Sequence, residues 1–356
     1  MLSTASASGA TGLTSEVEFP EPYDLPGTLS ILSRGKQDPT ARIDDAGAWL
    51  ALNTSSGGAT LRITRRPRRG NETRSGNAVG RGNDFSGARE ATVEAQGAAE
   101  AGSRGTAVVL GQAWGPGAEE ALAGLPALLG ADDDWSGFDE PAFHAGLPRL
   151  VSIPRRRHPG LRLPATGRMI DELVPVILEQ KITTIEARYS YKYLIRRHGT
   201  PAPGPAPDGL MVPPTAHGWR RIPSWDWHRA GVDSKRSATI IRACSSAGAL
   251  ERLASLPAGE ELASKLCTIP GIGPWTAAET AQRTHGDPDS VSVGDFHLAA
   301  FVGYALTGRK TDDAGMLELL EPWRGHRQRV VRMLVLSGFR KPTFGPRLSP
   351  QDHRRH

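Results

Sequence analysis

The sequence predicts two unlike parts, an α+β N-terminal domain followed by an all-α domain. Three observations carry this. Short runs of alternating apolar residues recur before residue 130, whereas apolar residues at three- and four-residue spacing dominate after 141. A Pro-Gly-Ile-Gly turn at 270–273 then joins two of the later helices. A length of 356 residues suits two or three domains.

In order along the chain, residues 1–18 are small and polar and read as a flexible tail. The α+β domain spans 19–140. AWLALN (48–53) and ATLRIT (59–64) alternate as half-buried strands do, TAVVLGQAW (106–114) reads as a buried strand, and 117–129 follows with a short helical pattern. Between them, residues 67–104 are rich in Gly, Asn, Ser, Arg and Ala and hold only Val79, Phe85 and Val93 as large apolar residues. That is too little apolar surface for a core, so 67–104 reads as a disordered insertion.

The helical domain spans 141–340. Met169, Leu173, Val176 and Ile177, then Ile185 and Tyr189, mark two adjoining helices. A Pro-rich connector occupies 200–218, and Asp233 or Ser234 caps a helix over roughly 234–246. Further helices are expected near 259–267, 274–284, 295–306, 313–320 and 325–337, with no strand of weight after 150 and a basic tail over 341–356.

Composition narrows the function classes. No stretch approaches 18 apolar residues, and MLSTASASGATGLTSEVEF has neither the basic start nor the apolar run of a secretory signal. Cys244 and Cys267 are too few for a disulfide framework, a four-thiolate zinc site or an iron–sulfur cluster, and the ten His form no metal-binding spacing. The expectation is a cytoplasmic protein with no metal and no membrane contact. The net charge of +5 is unevenly spread. Residues 1–150 hold 13 Lys and Arg against 19 Asp and Glu, a net of −6, and residues 151–356 hold 30 against 19, a net of +11. A polyanion would therefore meet the second part.

The segment LCTIPGIGPWTAAETA (266–281) is the most informative. Gly271 and Gly273 permit a tight turn with approachable backbone N–H groups, and Pro274 suits the first position of the next helix. Such a turn at the positive end of a helix is an anion site that suits a DNA phosphate, with Ile272 between the glycines, although PGIG alone equally fits a plain connector. Asp295, in VSVGDFHLAAFV (291–302), lies 22 residues after Gly273 at the head of an apolar helix. Alone it reads as an N-cap.

The two features together resemble the helix-hairpin-helix (HhH-GPD) superfamily of DNA glycosylases, with Gly286–Val293 as its Gly/Pro-rich loop and Asp295 as its aspartate. ILEQKITT (177–184), GVDSKRSATI (231–240), PWRGHRQRV (322–330) and PYD (22–24) are similar to elements of the bacterial 3-methyladenine DNA glycosylase II family. The likeness covers 160–340 well and 20–140 loosely. It implies an all-α helix-hairpin-helix DNA glycosylase domain after the α+β domain.

The resemblance implies the following site. Asp295 is the catalytic carboxylate that stabilises an oxocarbenium-like sugar and orients water. Trp275, Trp323, Gln180 and Glu279 line the base pocket, Glu279 standing where the family often has an aromatic residue. Lys181 falls at the wedge position, usually apolar, that fills the gap left by a flipped base. Gly271, Ile272, Gly273, Lys235, Arg236 and Arg324 contact phosphates, and His297 is structural. Superfamily members that also cleave the strand carry a nucleophilic Lys just after the hairpin. Here that position is Trp275 and the next Lys downstream is Lys310.

The implied activity is a monofunctional glycosylase in base excision repair that releases flipped-out alkylated purines and leaves an abasic site. Two alternatives stay open at this stage. One is a glycosylase for a deaminated or oxidised base, and the other is a non-catalytic damage-binding protein. The expected partner is double-stranded DNA with damaged bases. The protein is expected to be a monomer with no obligatory protein partner and no cofactor, unless a monovalent cation sits at the hairpin.

Overall fold

In a computed structural model, the structure describes residues 3–5, 12–66 and 105–342. The insertion expected at 67–104 and most of the basic tail lie outside the described residues. Six antiparallel strands form the N-terminal sheet: β1 (Ser3–Ala5), β2 (Gly12–Pro20), β3 (Ala41–Asp44), β4 (Gly47–Thr54), β5 (Gly57–Arg65) and β6 (Thr106–Trp114), in the order β1-β2-β6-β5-β4-β3. Residues 12–18 are thus not tail but strand. Behind their small polar start runs an alternation of Leu13, Ser15, Val17 and Phe19, and β6 supplies the hydrogen-bonding partner from Ala113 opposite Leu13 to Thr106 opposite Pro20.

Helices α1 (Leu25–Leu29), α2 (Ala118–Ala123) and α3 (Leu125–Leu128) belong to this domain. Along β6 the side chains of Ala107, Val109 and Ala113 are buried while Val108, Leu110 and Gln112 are half-buried, the period-2 signature of a sheet with one covered face. Leu25, Leu29, Leu122, Leu125 and Leu128 complete that core.

The rest is helical: α4 (Ser136–Asp139), α5 (Pro141–Ala145), α6 (Arg149–Arg157), α7 (Met169–Leu178), α8 (Thr184–His198), α9 (Ala216–Arg220), α10 (Ser224–Arg229), α11 (Ser234–Ser245), α12 (Ala247–Arg252), α13 (Glu260–Cys267), α14 (Pro274–Thr284), α15 (Leu298–Thr307), α16 (Asp313–Leu320) and α17 (Arg327–Leu336). They build two cores. One surrounds α7, whose Leu173, Val174 and Ile177 are fully buried against α8, α11, α12 and α14. The other joins α4–α6 to α15–α17 through Phe138, Val151, Met316, Val330 and Leu334. The chain leaves the first helices, builds the α7–α14 unit, and returns to close the earlier core. The segment 285–297 is the return crossing.

Two local expectations are corrected. Ile185 and Tyr189 do not continue the buried face of α7, for Ile185 is 69% exposed and α8 buries Ala187, Tyr191, Leu194 and Ile195 instead. Lys181, at φ +57, breaks the helix, so the periodicity restarts in a new phase at the Thr183–Glu186 capping box. The Pro-rich stretch 200–218 is also more than a connector. Its short strands Thr200–Pro201 and Met211–Val212 pair with each other, and Leu210 and Val212 pack on Ala51 of β4. Asp233 caps α11 through both the Lys235 and Arg236 N–H groups.

Among the described residues no helix is long and apolar enough to cross a membrane, and no group of three or more His, Cys, Asp or Glu could hold a metal ion.

The N-terminal domain meets α7 through polar groups that are buried or half-buried. The Arg34 guanidinium bridges Glu172 at 3.2 Å and Glu179 at 3.1 Å, and the Asp171 carboxylate accepts from the Asn53 backbone and side-chain nitrogens at 2.9 and 3.1 Å. Burial pushes the Asp171 carboxyl up to about 6, against the opposing pull of Arg168 and the Asn53 donors. The folded state therefore holds this proton to a higher pH than the unfolded chain, and stability is lost as pH rises through about 6. Urea unfolding at pH 4 and pH 7 checks this: relative to Asp171→Asn, the parent should lose roughly 2 kcal/mol over that interval.

Candidate active site

The hairpin connects α13 to α14 through Thr268–Gly273. The Ile272 N–H donates to the Ile269 carbonyl at 2.9 Å and closes the turn. Gly271 adopts φ +98, where a Cβ would also stand 2.2 Å from Thr239 Oγ1 of α11, so no other residue fits there. Gly273 is different. Its φ of −107 is open to any residue and a Cβ would meet nothing within 4 Å. The turn thus needs one glycine, and the second keeps the surface bare.

The hairpin carbonyls are pinned from behind. Gln180 Nε2 donates to the Gly271 carbonyl at 3.0 Å and to Thr276 Oγ1 at 2.8 Å, and the Arg242 guanidinium donates to the Pro270 carbonyl. In front, the first turn of α14 carries no side-chain cap, and among the described residues the Gly271 and Gly273 N–H groups have no acceptor. Free donors at the positive end of an eleven-residue helix leave a locally electropositive surface at the turn.

Asp295 sits beside this turn. Its Oδ1 accepts from the His297 and Leu298 N–H groups at 2.8 and 2.9 Å, so it binds the head of α15 from two residues before the N-cap His297, and the helix begins at Leu298 rather than at 295. Its Oδ2 accepts from the Trp275 indole Nε1 at 3.2 Å. Binding the head of α15 uses one oxygen of the half-buried Asp295 and leaves the other beside the second residue of α14. The two readings of Asp295 are therefore compatible: Oδ1 anchors the side chain at the head of α15, and Oδ2, held by the Trp275 indole, is the oxygen turned toward the hairpin helix.

The remaining candidates divide. Lys235 is exposed one turn before Thr239, the residue that packs on Gly271, and so shares the rim of the hairpin. Lys181 is exposed at the break after α7, the only non-glycine residue at positive φ among those described. Its neighbour Gln180 is spent on the hairpin rather than on a pocket. Ile272 is a turn residue with its N–H engaged and its side chain buried, not a phosphate contact.

Arg236 is 6% exposed and donates to Asp233, to the Leu178 carbonyl and to the Gly231 carbonyl, so it holds α11 to α7 and is not available to a phosphate. Arg324 is exposed but paired twice at 2.7 Å with Glu321. Both oxygens of Glu279 are taken, one by the Ser292 hydroxyl and one by Arg283 at 2.7 Å, so it is a closed ion pair rather than an open pocket wall. Trp323 packs on the second helical core and makes no ring contact with Trp275 among the described residues. Phe296 was missed. It is 79% exposed directly after Asp295, with its ring edge against His297. An aromatic following the aspartate, outside the apolar period of α15, was the available signal.

Comparison with known proteins bears on this arrangement. No known family model matches the chain. Over 143 residues it is 28% identical to a probable bifunctional transcriptional activator/DNA repair enzyme AlkA of Mycobacterium tuberculosis, an alignment that covers 39% of this chain and 28% of that protein. The match therefore spans under a third of the curated relative. Among solved structures, a 3-methyladenine DNA glycosylase from Archaeoglobus fulgidus superposes with a TM-score of 0.65 at 15% identity over 91% of this chain and 99% of its own. A Clostridium acetobutylicum 8-oxoguanine glycosylase/lyase bound to DNA gives 0.58 at 10% identity over 94% and 96%.

The chain has the fold of the helix-hairpin-helix DNA glycosylases. Within that fold, the hairpin, Gln180, Trp275 and Asp295 form one contiguous cluster, whereas Arg236 and Glu279 belong to its support.

The two hairpin glycines give a paired test. Gly271→Ala should lower stability by about 1–3 kcal/mol, because it forces a strained φ and a clash. Gly273→Ala should leave stability within about 0.5 kcal/mol, as for a surface change. Thermal melting of the two variants beside the parent measures the difference.

Proposed function

We propose that the protein is a monofunctional DNA glycosylase that hydrolyses the N-glycosidic bond of flipped-out alkylated purines and leaves an abasic site. The observation that carries this reading is the Trp275–Asp295 contact, which sets a carboxylate oxygen beside the uncapped N-terminus of α14.

In this mechanism the Gly271 and Gly273 N–H groups, with Lys235, hold the backbone of the damaged strand and give affinity without reading sequence. Lys181 and Phe296, both exposed near the cluster, are the side chains available to fill the space vacated by the extruded nucleotide. The bond between C1′ and the base nitrogen then breaks with its electron pair leaving on the base. Positive charge grows on the sugar, where Asp295 Oδ2 stabilises it. Water adds to C1′ on the side of that carboxylate, and the carboxylate takes its proton.

An alkylated purine is cationic and leaves readily, so the site needs no strong general acid. The Trp275 indole favours such a base by cation–π attraction of about 0.5–2 kcal/mol. Trp275 stands where strand-cleaving members carry lysine, and an indole cannot form a Schiff base.

Chromatography of bases released from methylated genomic DNA tests the reading against glycosylases for other lesions and against a binding protein that releases none. Asp295→Asn should reduce release by at least about 100-fold, the cost expected on losing transition-state charge stabilisation, while binding to abasic-site DNA persists. Excision by this variant at the parent's rate would remove Asp295 from the mechanism. Borohydride should trap no enzyme–DNA adduct, and a covalent band on a denaturing gel would reject the monofunctional reading.

A further inference from the structure

Helix α14 makes three separate contacts with the segment that presents Asp295. Trp275 donates to Asp295 Oδ2, Glu279 accepts from the Ser292 hydroxyl, and Gln282 Nε2 donates to Ser292 Oγ at 3.1 Å and to the Ser290 carbonyl at 3.0 Å. Spacings of four and three place 275, 279 and 282 along one face of the helix. Ser292 in turn opens the tight turn that ends at Asp295, whose N–H donates to the Ser292 carbonyl at 3.2 Å. On the other side the Gly294 N–H donates to Asp313 Oδ2 of α16 at 3.1 Å, with Gly294 at φ +89. The turn is gripped from both sides.

We infer that Glu279, acting through Ser292 and together with Gln282, is a positioning residue that fixes Asp295 relative to the hairpin. The inference rests on the reading of Asp295 as the catalytic carboxylate.

The chemistry explains why a carboxylate occupies this place. Burial disfavours the Glu279 charge, but the Arg283 guanidinium and the Ser292 hydroxyl outweigh it and hold the carboxyl below its usual range. An ionised carboxylate only accepts, so the Ser292 hydroxyl must donate to it and keeps its lone pair for Gln282. The proton direction of the chain is thereby set. Ser292 is 3% exposed and Gln282 6%, so water does not compete for these bonds. An aromatic residue at 279 could line a pocket but could not hold Ser292. Because α14 also carries the phosphate-facing turn at its start, one rigid element sets the distance between the anchored backbone and the carboxylate. Displacements of about 1 Å in such a relation cost on the order of 100-fold in rate.

The test uses full-length protein carrying Glu279→Gln, Ser292→Ala or both. Three quantities are read: single-turnover release of 7-methylguanine from methylated duplex, affinity for an abasic-site duplex, and the Trp275 indole ¹H–¹⁵N resonance, assigned by its loss in Trp275→Phe. Each single variant should slow release by about tenfold or more while abasic-site affinity stays within about twofold. The double variant should be no slower than the slower single, because both break one link. The indole resonance should move in all three. Release at the parent's rate, single effects that multiply in the double variant, or an unmoved indole resonance would overturn the positioning role. If the parent itself releases no base, the glycosylase reading fails, and the indole resonance alone decides whether Glu279 and Ser292 fix Asp295.

Discussion

Helix α14 must be bare at its first turn and buried almost everywhere after it, and the molecule is arranged around that requirement. Pro274 donates no N–H, and among the described residues the Gly271 and Gly273 N–H groups meet no acceptor and no side chain caps the helix. From Thr276 to Thr284, every residue except the half-buried Glu279 is buried. Small residues at 277, 278 and 281 let the helix lie close to α7, while Thr280 and Thr284 return their hydroxyls to the carbonyls one turn back at 2.7 and 2.9 Å. A polar helix is thus interred without orphaned hydroxyls. The cost of a bare N-terminus is met by the packing of everything behind it.

The same helix explains how two cores can share one site. The core around α7 supports the hairpin, and the core of α6 and α15–α17 supports the helix whose head Asp295 binds. Contacts across the crossing are polar and directional. Besides the Glu279–Ser292 link, Asp289 accepts from the Gly325 and Arg327 N–H groups at 2.7 and 3.0 Å, and the Pro288 carbonyl accepts from Gln328 and Arg329. Hydrogen bonds of fixed geometry set position better than apolar contact does, which slides at little cost.

Charge takes on a sharper meaning in three dimensions. The basic excess after residue 150 contains guanidiniums with internal employment: Arg236 braces α11, Arg283 neutralises Glu279, and Arg329 pairs with Asp133 at 4% exposure on either side. A count of basic residues therefore overstates the charge offered to a phosphate backbone. The hairpin rim presents free backbone N–H groups, the exposed Lys235 and the exposed Arg242, whose guanidinium also holds the Pro270 carbonyl.

The sequence by itself determined the longer elements, because periodicity and breakers are local properties, and it passed over short ones such as Ala41–Asp44 and Ala216–Arg220, which hold too few residues to show a period. Strands at 47–65 and 106–114, the hairpin, and helices from Pro274 and Asp313 stand where alternation, Pro and Gly put them. It also paired the hairpin with Asp295, since both lie in recognisable short motifs. It misread the strand 12–18 through its polar composition and the face of α8 through a helix break at Lys181 that no residue type announces. Only the tertiary structure decided the partners of charged side chains. Arg236 and Glu279 look from sequence like surface and pocket groups, but their roles follow from what folds against them, Leu178 and Gly231 in one case and Ser292 and Arg283 in the other. A local pattern fixes where a side chain starts, and long-range packing fixes which acceptor its charge meets.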